Sequence, residues 1–235
     1  MKILAIIPAR SGSKGLKSKN IKKINNKTLL EYSIRSAQES KKIDKIIVST
    51  DSEKFKNIAK KIGVEVPFLR PKKYSTSKSN GIDYIKHTLN YLKEKENYEP
   101  EIIVILQPTS PIRYDGLIDK SIKMLKKSKG TSVIGVSIIK QHPFSAYIPK
   151  GEFIESFKKK SNEYYQRQKF PIMYHPTGTI YTFWNKTFKK FNSPLGNKIT
   201  PLVLEPEFSI DIDDLFDFFQ CDMTIKYWNK YKKEN

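Results

Sequence analysis

The sequence predicts an α/β fold, a mostly parallel sheet with helices on both faces. Three observations lead there. Short apolar runs alternate with stretches in which apolar residues recur at helical spacing. Proline, glycine or clustered polar residues stop most of the runs. The chain has 235 residues, 38% hydrophobic and 12% aromatic, enough for a sizeable core and too much for a disordered chain.

The first strand is Lys2–Pro8, whose Ile3, Ile6 and Ile7 require burial and whose Pro8 ends the run. A Ser-, Gly- and Lys-rich loop covers 9–20. Leu29, Leu30, Ile34 and Ala37 make the first helix. Lys45–Ser49 is the second buried strand. Phe55, Ile58, Ala59 and Ile62 line the next helix, with Gly63 at the C-terminal cap position. A short strand is predicted at Glu65–Leu69, stopped by Arg70-Pro71. A helix through Ile82, Ile85, Leu89 and Leu92 leads to the most apolar strand, Ile102–Leu106. Leu117, Ile118, Ile122 and Leu125 mark another helix, and Ser132–Ile139 a further strand.

From about 141 to 178 the rhythm breaks into aromatics, prolines and the basic run Lys158–Lys160, which reads as a β-rich arm inserted into a single unit, 1–235. Thr179–Trp184 is strand-like, and a last helix covers Leu215–Tyr231. In a right-handed parallel sheet the strand C-termini share one edge, so the loops 9–20, 49–53, 70–81 and 107–113 are expected around one site.

The net charge is +20, from 44 basic and 24 acidic residues. Only Arg10, Arg35, Arg70, Arg113 and Arg167 are arginines, and the lysines are spread along the chain. Arginine is the preferred group for bidentate phosphate and base contacts, so a nucleic-acid partner is not expected. The positive field suits an anionic small substrate. A lone cysteine, Cys221, excludes a disulfide framework and a Cys-rich zinc site. The N-terminal apolar run is too short for a signal peptide or membrane span, and a cytoplasmic, membrane-free setting is expected. His87, His142 and His175 show no metal-ligand spacing.

The loop Pro8-Ala9-Arg10-Ser11-Gly12-Ser13-Lys14-Gly15 leaves the first strand directly. Its glycines let main-chain N–H groups approach an anion, Ser11 and Ser13 add hydroxyls, and Arg10, Lys14 and Lys19 add three cations. The spacing matches neither the dinucleotide-binding nor the P-loop fingerprint. Far along the chain, Ser209-Ile210-Asp211-Ile212-Asp213 alternates. If extended, it presents Asp211 and Asp213 on one face, which suits a Mg²⁺ that takes one or two carboxylates plus phosphate oxygens and water. Capping of the last helix competes for these aspartates, and Asp214 is placed to take that role.

Five blocks together resemble the acylneuraminate cytidylyltransferases, the CMP-nonulosonic-acid synthetases: I-P-A-R-S-G-S-K-G-L-K-S-K-N-I at 7–21, I-I-V-S-T-D-S-E at 46–53, V-P-F-L-R-P at 66–71, L-Q-P-T-S-P-I-R at 106–113 and S-I-D-I-D-D at 209–214. They come in the family's order and spacing over nearly the whole chain. A basic polyanion binder without chemistry gives no reason for such order.

The resemblance implies a three-layer α/β/α Rossmann-like nucleotidyltransferase fold and Mg²⁺-dependent transfer of CMP from CTP to a nonulosonic acid of sialic, legionaminic or pseudaminic type. It implies Lys14, Arg10 and Asp211 as catalytic. Ala9, Arg10, Gly12, Ser13, Lys14, Gly15, Lys19, Asn20, Arg70 and Pro108 would hold the nucleotide. Gln107, Thr109, Ser110, Arg167 and Tyr181 would hold the acceptor, and Asp211 and Asp213 the metal. A homodimer formed through the arm is expected.

The departures from the family pattern, at Gly81, Ser145, His175 and Thr177, lie mostly on the sugar side. They point to an acceptor other than N-acetylneuraminic acid. A related acceptor such as 3-deoxy-manno-octulosonate or a phosphonate is the alternative.

Overall fold

The structure, a computed structural model, describes every residue except 13, 14, 77, 78, 158–166 and 235; at 167 the main chain alone is described. Its core is one six-stranded sheet. β1 (Ile3–Pro8) lies between β4 (Lys45–Ser49) and β5 (Ile102–Ile105), parallel to both. β9 (Tyr174–Trp184) runs antiparallel to β5 on its other side and to β6 (Ser132–Ile138), and β10 (Ile199–Val203) closes the edge parallel to β6. The order is β10-β6-β9-β5-β1-β4, with β9 the one reversed strand.

Alternation within the strands divides the core into two layers. Ile3, Ala5 and Ile7 pack against α1 (Leu29–Glu39), α2 (Glu53–Lys61) and α4 (Leu117–Lys127). Leu4, Ile6, Ile103 and Ile105 face α3 (Asp83–Glu96) and α5 (Asn185–Phe191). Gly63 ends α2 in the left-handed region, at φ +85°, where glycine is favoured.

Four details differ from the sequence-based expectation. The strand at 65–69 reduces to one bridge, Glu65 to Ile47. β10 carries no strand signal in the sequence because Pro201 interrupts its alternation, yet it is an edge strand, where proline is tolerated. The seven-residue α5 is too short to show a period. The arm holds a hairpin of β7 (Tyr147–Lys150) and β8 (Phe153–Ser156), but residues 174–178, assigned to the arm, continue β9 in the central sheet.

A third apolar cluster fixes the chain's last part. α6 (Leu215–Glu234) contributes Cys221, Phe218 and Ile225 to a cluster with Ile24, Leu29, Leu16, Ile210 and Ile212. Ile24 and Leu29 belong to a small antiparallel pair, β2 (Lys23–Ile24) with β3 (Lys27–Thr28), and to α1. The 209–213 segment is thereby held beside the loop that leaves β1. No helix among the described residues is long and apolar enough to cross a membrane.

Candidate active site

A cleft of about 480 Å³ opens at the C-terminal edge of β1, β4 and β5. Arg10, Gly15, Lys19, Asn20, Arg70, Gln107, Pro108, Thr109, Asp211 and Asp213 line it, together with Tyr74, Thr76, Ser79, Asn80, Gly81 and Tyr84. Most sequence-selected residues therefore meet at one place, as the shared edge of a parallel sheet requires.

The early loop and the late aspartates touch. Lys19 Nζ lies 2.8 Å from Asp213 Oδ1 and also donates to the Ile212 carbonyl. A methyl group at residue 15 would sit 2.2 Å from the Asp213 carbonyl oxygen, so only glycine permits this approach. The Ile212 N–H donates to the Thr109 carbonyl at 2.8 Å, tying the same segment to the loop after β5. Ile212 is buried while Asp211 and Asp213 are exposed, the alternation read from sequence. Asp214 Oδ1 caps α6 by accepting from the Asp217 N–H at 2.9 Å, and Asp217 Oδ2 accepts in return from the N–H groups of Asp213 and Asp214. Capping thus falls to Asp214 and leaves the other two carboxylates to the cleft.

Other loop groups are committed to architecture. The Ala9 side chain is buried in the core and its N–H bonds the Ser49 carbonyl at 2.9 Å, so this N–H is not available to an anion. Ser11, expected to offer a hydroxyl, gives both its Oγ (2.8 Å) and its N–H (2.7 Å) to Asp51. Asn20 Nδ2 donates to the Arg10 carbonyl at 3.0 Å and shapes the turn. Arg10 Nη1 reaches the Thr76 carbonyl, 3.0 Å away, at the cleft mouth. Gly12 is exposed with open space at its α-carbon. Ser13, Lys14 and the Arg167 side chain lie outside the described residues.

Arg70 is 5% exposed, its Nε 3.0 Å from Ser49 Oγ and its guanidinium 5.3 Å from the Tyr84 ring centroid. Burial pushes it down to about 10, partly offset by the Asp51 charge. It stays protonated at neutral pH, a fixed cation in the cleft wall. Behind it, His87 packs 4.5 Å from Phe68 and 5.8 Å from Tyr74, centroid to centroid. Burial, then Arg70 and Lys73, hold His87 below the ordinary histidine range. As pH falls through about 6.5 the unfolded chain takes this proton first, so the fold loses stability until the folded-state value is reached. Thermal melts from pH 7.5 to 5 are expected to show that loss, and a smaller one in His87→Gln.

The opposite wall rests on a feature absent from the sequence reading. Between Ile134, paired with Tyr181, and Val136, paired with Pro176, β6 spends one residue and β9 spends four, 177–180. This bulge sets Gly178 at φ +74°, against the Gln107 and Ser110 side chains. Ser110 Oγ lies 2.9 Å from the Thr177 carbonyl and 3.2 Å from Asp211 Oδ1. Ser110 therefore steadies a carboxylate from behind the wall. Tyr181 also sits behind the wall, its pKa raised by burial and by the Asp211 charge. The T-G-T-I-Y run at 177–181 was the available signal for the bulge.

Asp211 also lines a second cavity, of about 810 Å³, with Lys140, Gln141, His175, Glu205 and Gln220. His142, at the base of the arm, is structural. Its Nε2 lies 3.1 Å from the Pro171 carbonyl, and its ring packs on Phe144 and Phe170.

A cationic turn opposite two carboxylates, at the edge of a three-layer α/β/α sheet, has the architecture of a nucleotidyltransferase. The family model described as Cytidylyltransferase matches residues 4–195, and the chain belongs to that family. It is 34% identical over 227 residues to an N-acylneuraminate cytidylyltransferase of Escherichia coli, covering 96% of this chain and 52% of that protein. The chain thus spans about half the length of that relative. It is 32% identical to a CMP-N,N'-diacetyllegionaminic acid synthase of Legionella pneumophila, over 93% of this chain and 94% of the other. The fold matches that of a CMP:2-keto-3-deoxy-manno-octonic acid synthetase solved with CTP, with a TM-score of 0.69 at 13% identity, covering 96% and 98% of the two chains.

Proposed function

We propose that the chain transfers the cytidylyl group of CTP to a nonulosonic acid of sialic, legionaminic or pseudaminic type. The anomeric oxygen forms a bond to the α-phosphorus and its proton passes to solvent; the bond from the α-phosphorus to the bridging oxygen breaks, and pyrophosphate leaves with that electron pair. The contact of the cationic turn with the Asp211–Asp213 segment carries this reading, because it supplies both charge signs needed around a triphosphate. Arg10, Lys14, Lys19 and Arg70 bind phosphate oxygens, with Lys14 on the transferred phosphate and leaving group. The main chain of Gly12, Ser13 and Gly15 closes around the polyphosphate, and Pro108 bounds the nucleotide.

Asp211 and Asp213 are the candidate Mg²⁺ ligands. Their donor set fits: two carboxylates on one cleft wall, all oxygen, suit an ion that takes one or two carboxylates and fills its shell with phosphate oxygens and water. When bound, the ion offsets charge on the α-phosphate and on pyrophosphate. Gln107 and Thr109 face the acceptor from the cleft. The second cavity, reached past Asp211 and bordered by Lys140 and His175, is our candidate for the sugar's remaining body. Within its mixed lining Lys140 is the cation that suits a carboxylate, and Arg167 of the arm is a further candidate for that contact.

The enzyme is proposed to act as one unit, 1–235, in the cytoplasm, and as a homodimer. The dimer reading rests on the hairpin's exposed apolar residues, Phe153 (78% exposed) and Ile154 (68%) among them.

The test is pyrophosphate release with each of four nucleoside triphosphates against a panel of sugar acids. Release is expected only with CTP, a nonulosonic acid and Mg²⁺ together, and a legionaminic- or pseudaminic-type acid is expected to exceed N-acetylneuraminic acid. Asp211→Asn is expected to lower turnover about 10²–10³-fold, the scale of losing several kcal/mol of metal-assisted charge stabilisation, and to raise the Mg²⁺ midpoint. A clear preference for N-acetylneuraminic acid overturns the acceptor assignment, and equal use of all four nucleotides overturns the cytidylyl assignment. Preference for 3-deoxy-manno-octulosonate establishes the second reading.

A further inference from the structure

Arg113 is a partly buried guanidinium, and the reaction scheme above leaves it unused. It follows the loop 107–112 and turns back under it. Its Nη2 donates to the Gln107 carbonyl at 2.9 Å, its Nε to the Thr179 carbonyl at 2.9 Å, and its Nη1 to Ser33 Oγ at 3.1 Å. These acceptors are two main-chain carbonyls and a hydroxyl, none of them a carboxylate. Burial accordingly lowers the guanidinium to about 9 with no acidic neighbour to offset it. Holding a cation in that setting is costly, and the Thr179 carbonyl supplies a reason for it; the Gln107 carbonyl also accepts from the Ser110 N–H at 3.2 Å and from Ser33 Oγ at 3.3 Å.

The carbonyls are informative. Thr179 lies within the four-residue bulge of β9, where the register shift leaves the strand-to-strand ladder interrupted. Gln107 is the second residue beyond the end of β5, and Ser33 is buried in α1. Three elements that no common ladder joins at this point are thus clamped by one planar fork, a geometry lysine does not reproduce. What the clamp holds in register is the wall itself: the Gln107 side chain, Gly178, and Ser110 with its contact to Asp211.

We propose that Arg113 is a positioning residue for the acceptor side of the site, holding the β9 bulge against the Gln107 turn so that Gln107 and Asp211 face the sugar acid at fixed spacing. The proposal rests on the cytidylyltransferase reading for its substrates, but the clamp itself is testable without turnover. It acts first on one wall: the turn that carries Arg10, Lys19 and Asn20 holds itself through the Asn20–Arg10 bond and meets the clamped side only where Lys19 and Gly15 touch the Asp213 segment.

The experiment compares wild type with Arg113→Met, Arg113→Lys and Ser33→Ala. It measures amide hydrogen exchange of the free protein and steady-state constants for CTP and the preferred sugar acid. In Arg113→Met, exchange at 107–110 and 177–180 is expected to rise at least about tenfold, with 15–21 unchanged. The acceptor KM is expected to rise, or kcat to fall, by about 10–100-fold, the scale of a sub-ångström to one-ångström misplacement, while the CTP KM stays within about twofold. Arg113→Lys is expected to restore little, and Ser33→Ala to give a smaller effect of the same pattern.

Unchanged exchange at 107–110 and 177–180 overturns the proposal. So does a CTP KM that climbs in step with that of the acceptor. If Arg113→Met does not fold, Arg113→Lys and Ser33→Ala decide by the same criteria. If wild type uses no sugar acid, the functional reading fails, and exchange alone still decides the clamp.

Discussion

Gly178→Ala is expected to lower kcat/KM by at least about 10²-fold, the scale of displacing a reacting group by an ångström, with a modest loss of stability. A methyl group there would lie 2.8 Å from both Gln107 Oε1 and Ser110 Oγ, and 3.3 Å from Asp211 Oδ2. All three side chains belong to the proposed acceptor wall, so relief of the overlap necessarily moves that wall. The backbone adds about 1–2 kcal/mol, because φ +74° is a left-handed conformation that a Cβ penalises. Gly63→Ala separates the two effects. Gly63 has φ +85° with open space around it, and it ends α2 away from the cleft. Its substitution is expected to cost similar stability by thermal melt and to leave kcat/KM within about twofold, since no reacting group is displaced. Equal activity losses in the two variants, or full activity in Gly178→Ala, would show that the bulge does not shape the site.

Gly15→Ala is expected to act on the other wall and as severely. Its Cβ would fall 2.2 Å from the Asp213 carbonyl oxygen, a main-chain atom held by the burial of Ile212 and by the bond from its N–H to Thr109. That atom has no cheap way to retreat, so the turn moves instead, parting Arg10 and Lys19 from the aspartates. CTP affinity measured by calorimetry is expected to fall at least about tenfold and turnover about 10²-fold, in line with the sensitivity of charge-assisted contacts to distance. Gly15 is exposed at the protein surface, so the melting temperature is expected to change little. Tight CTP binding by this variant would place the polyphosphate elsewhere.

The two substitutions differ in how far their consequences were legible beforehand. Gly15 stood out as part of a cationic, glycine-bearing turn after the first strand, and the five ordered blocks pointed to the chemistry. Gly178 did not stand out. Its importance arises from a register shift between β6 and β9, and a shift is a property of a strand pair rather than of either strand. Arg113 closed the L-Q-P-T-S-P-I-R block without showing a task, because its acceptors lie 6, 66 and 80 positions away along the chain. Ser11 shows the reverse. Its type suggested a phosphate donor, and only the position of Asp51 reveals that its hydroxyl is already engaged.

The edge strand β10 and short helix α5 escaped for a related reason. Each is too short or too interrupted to carry a period, and each is stabilised by the neighbours it packs against. The arm was recognisable by its broken rhythm, but its end was not, since Tyr174–Gly178 joins the central sheet through pairing with β6.

By itself, the sequence determined the α/β alternation, the buried strands, the helical faces and the chemical character of both ends of the site. These are local properties, set by apolar periodicity and by residue type. Tertiary structure alone decided which loop groups remain available to a ligand, how the late aspartates approach the early turn, and where the β9 bulge sets its glycine. Those outcomes depend on hydrogen bonds and close contacts between segments up to nearly two hundred residues apart, and a one-dimensional pattern does not encode their distances.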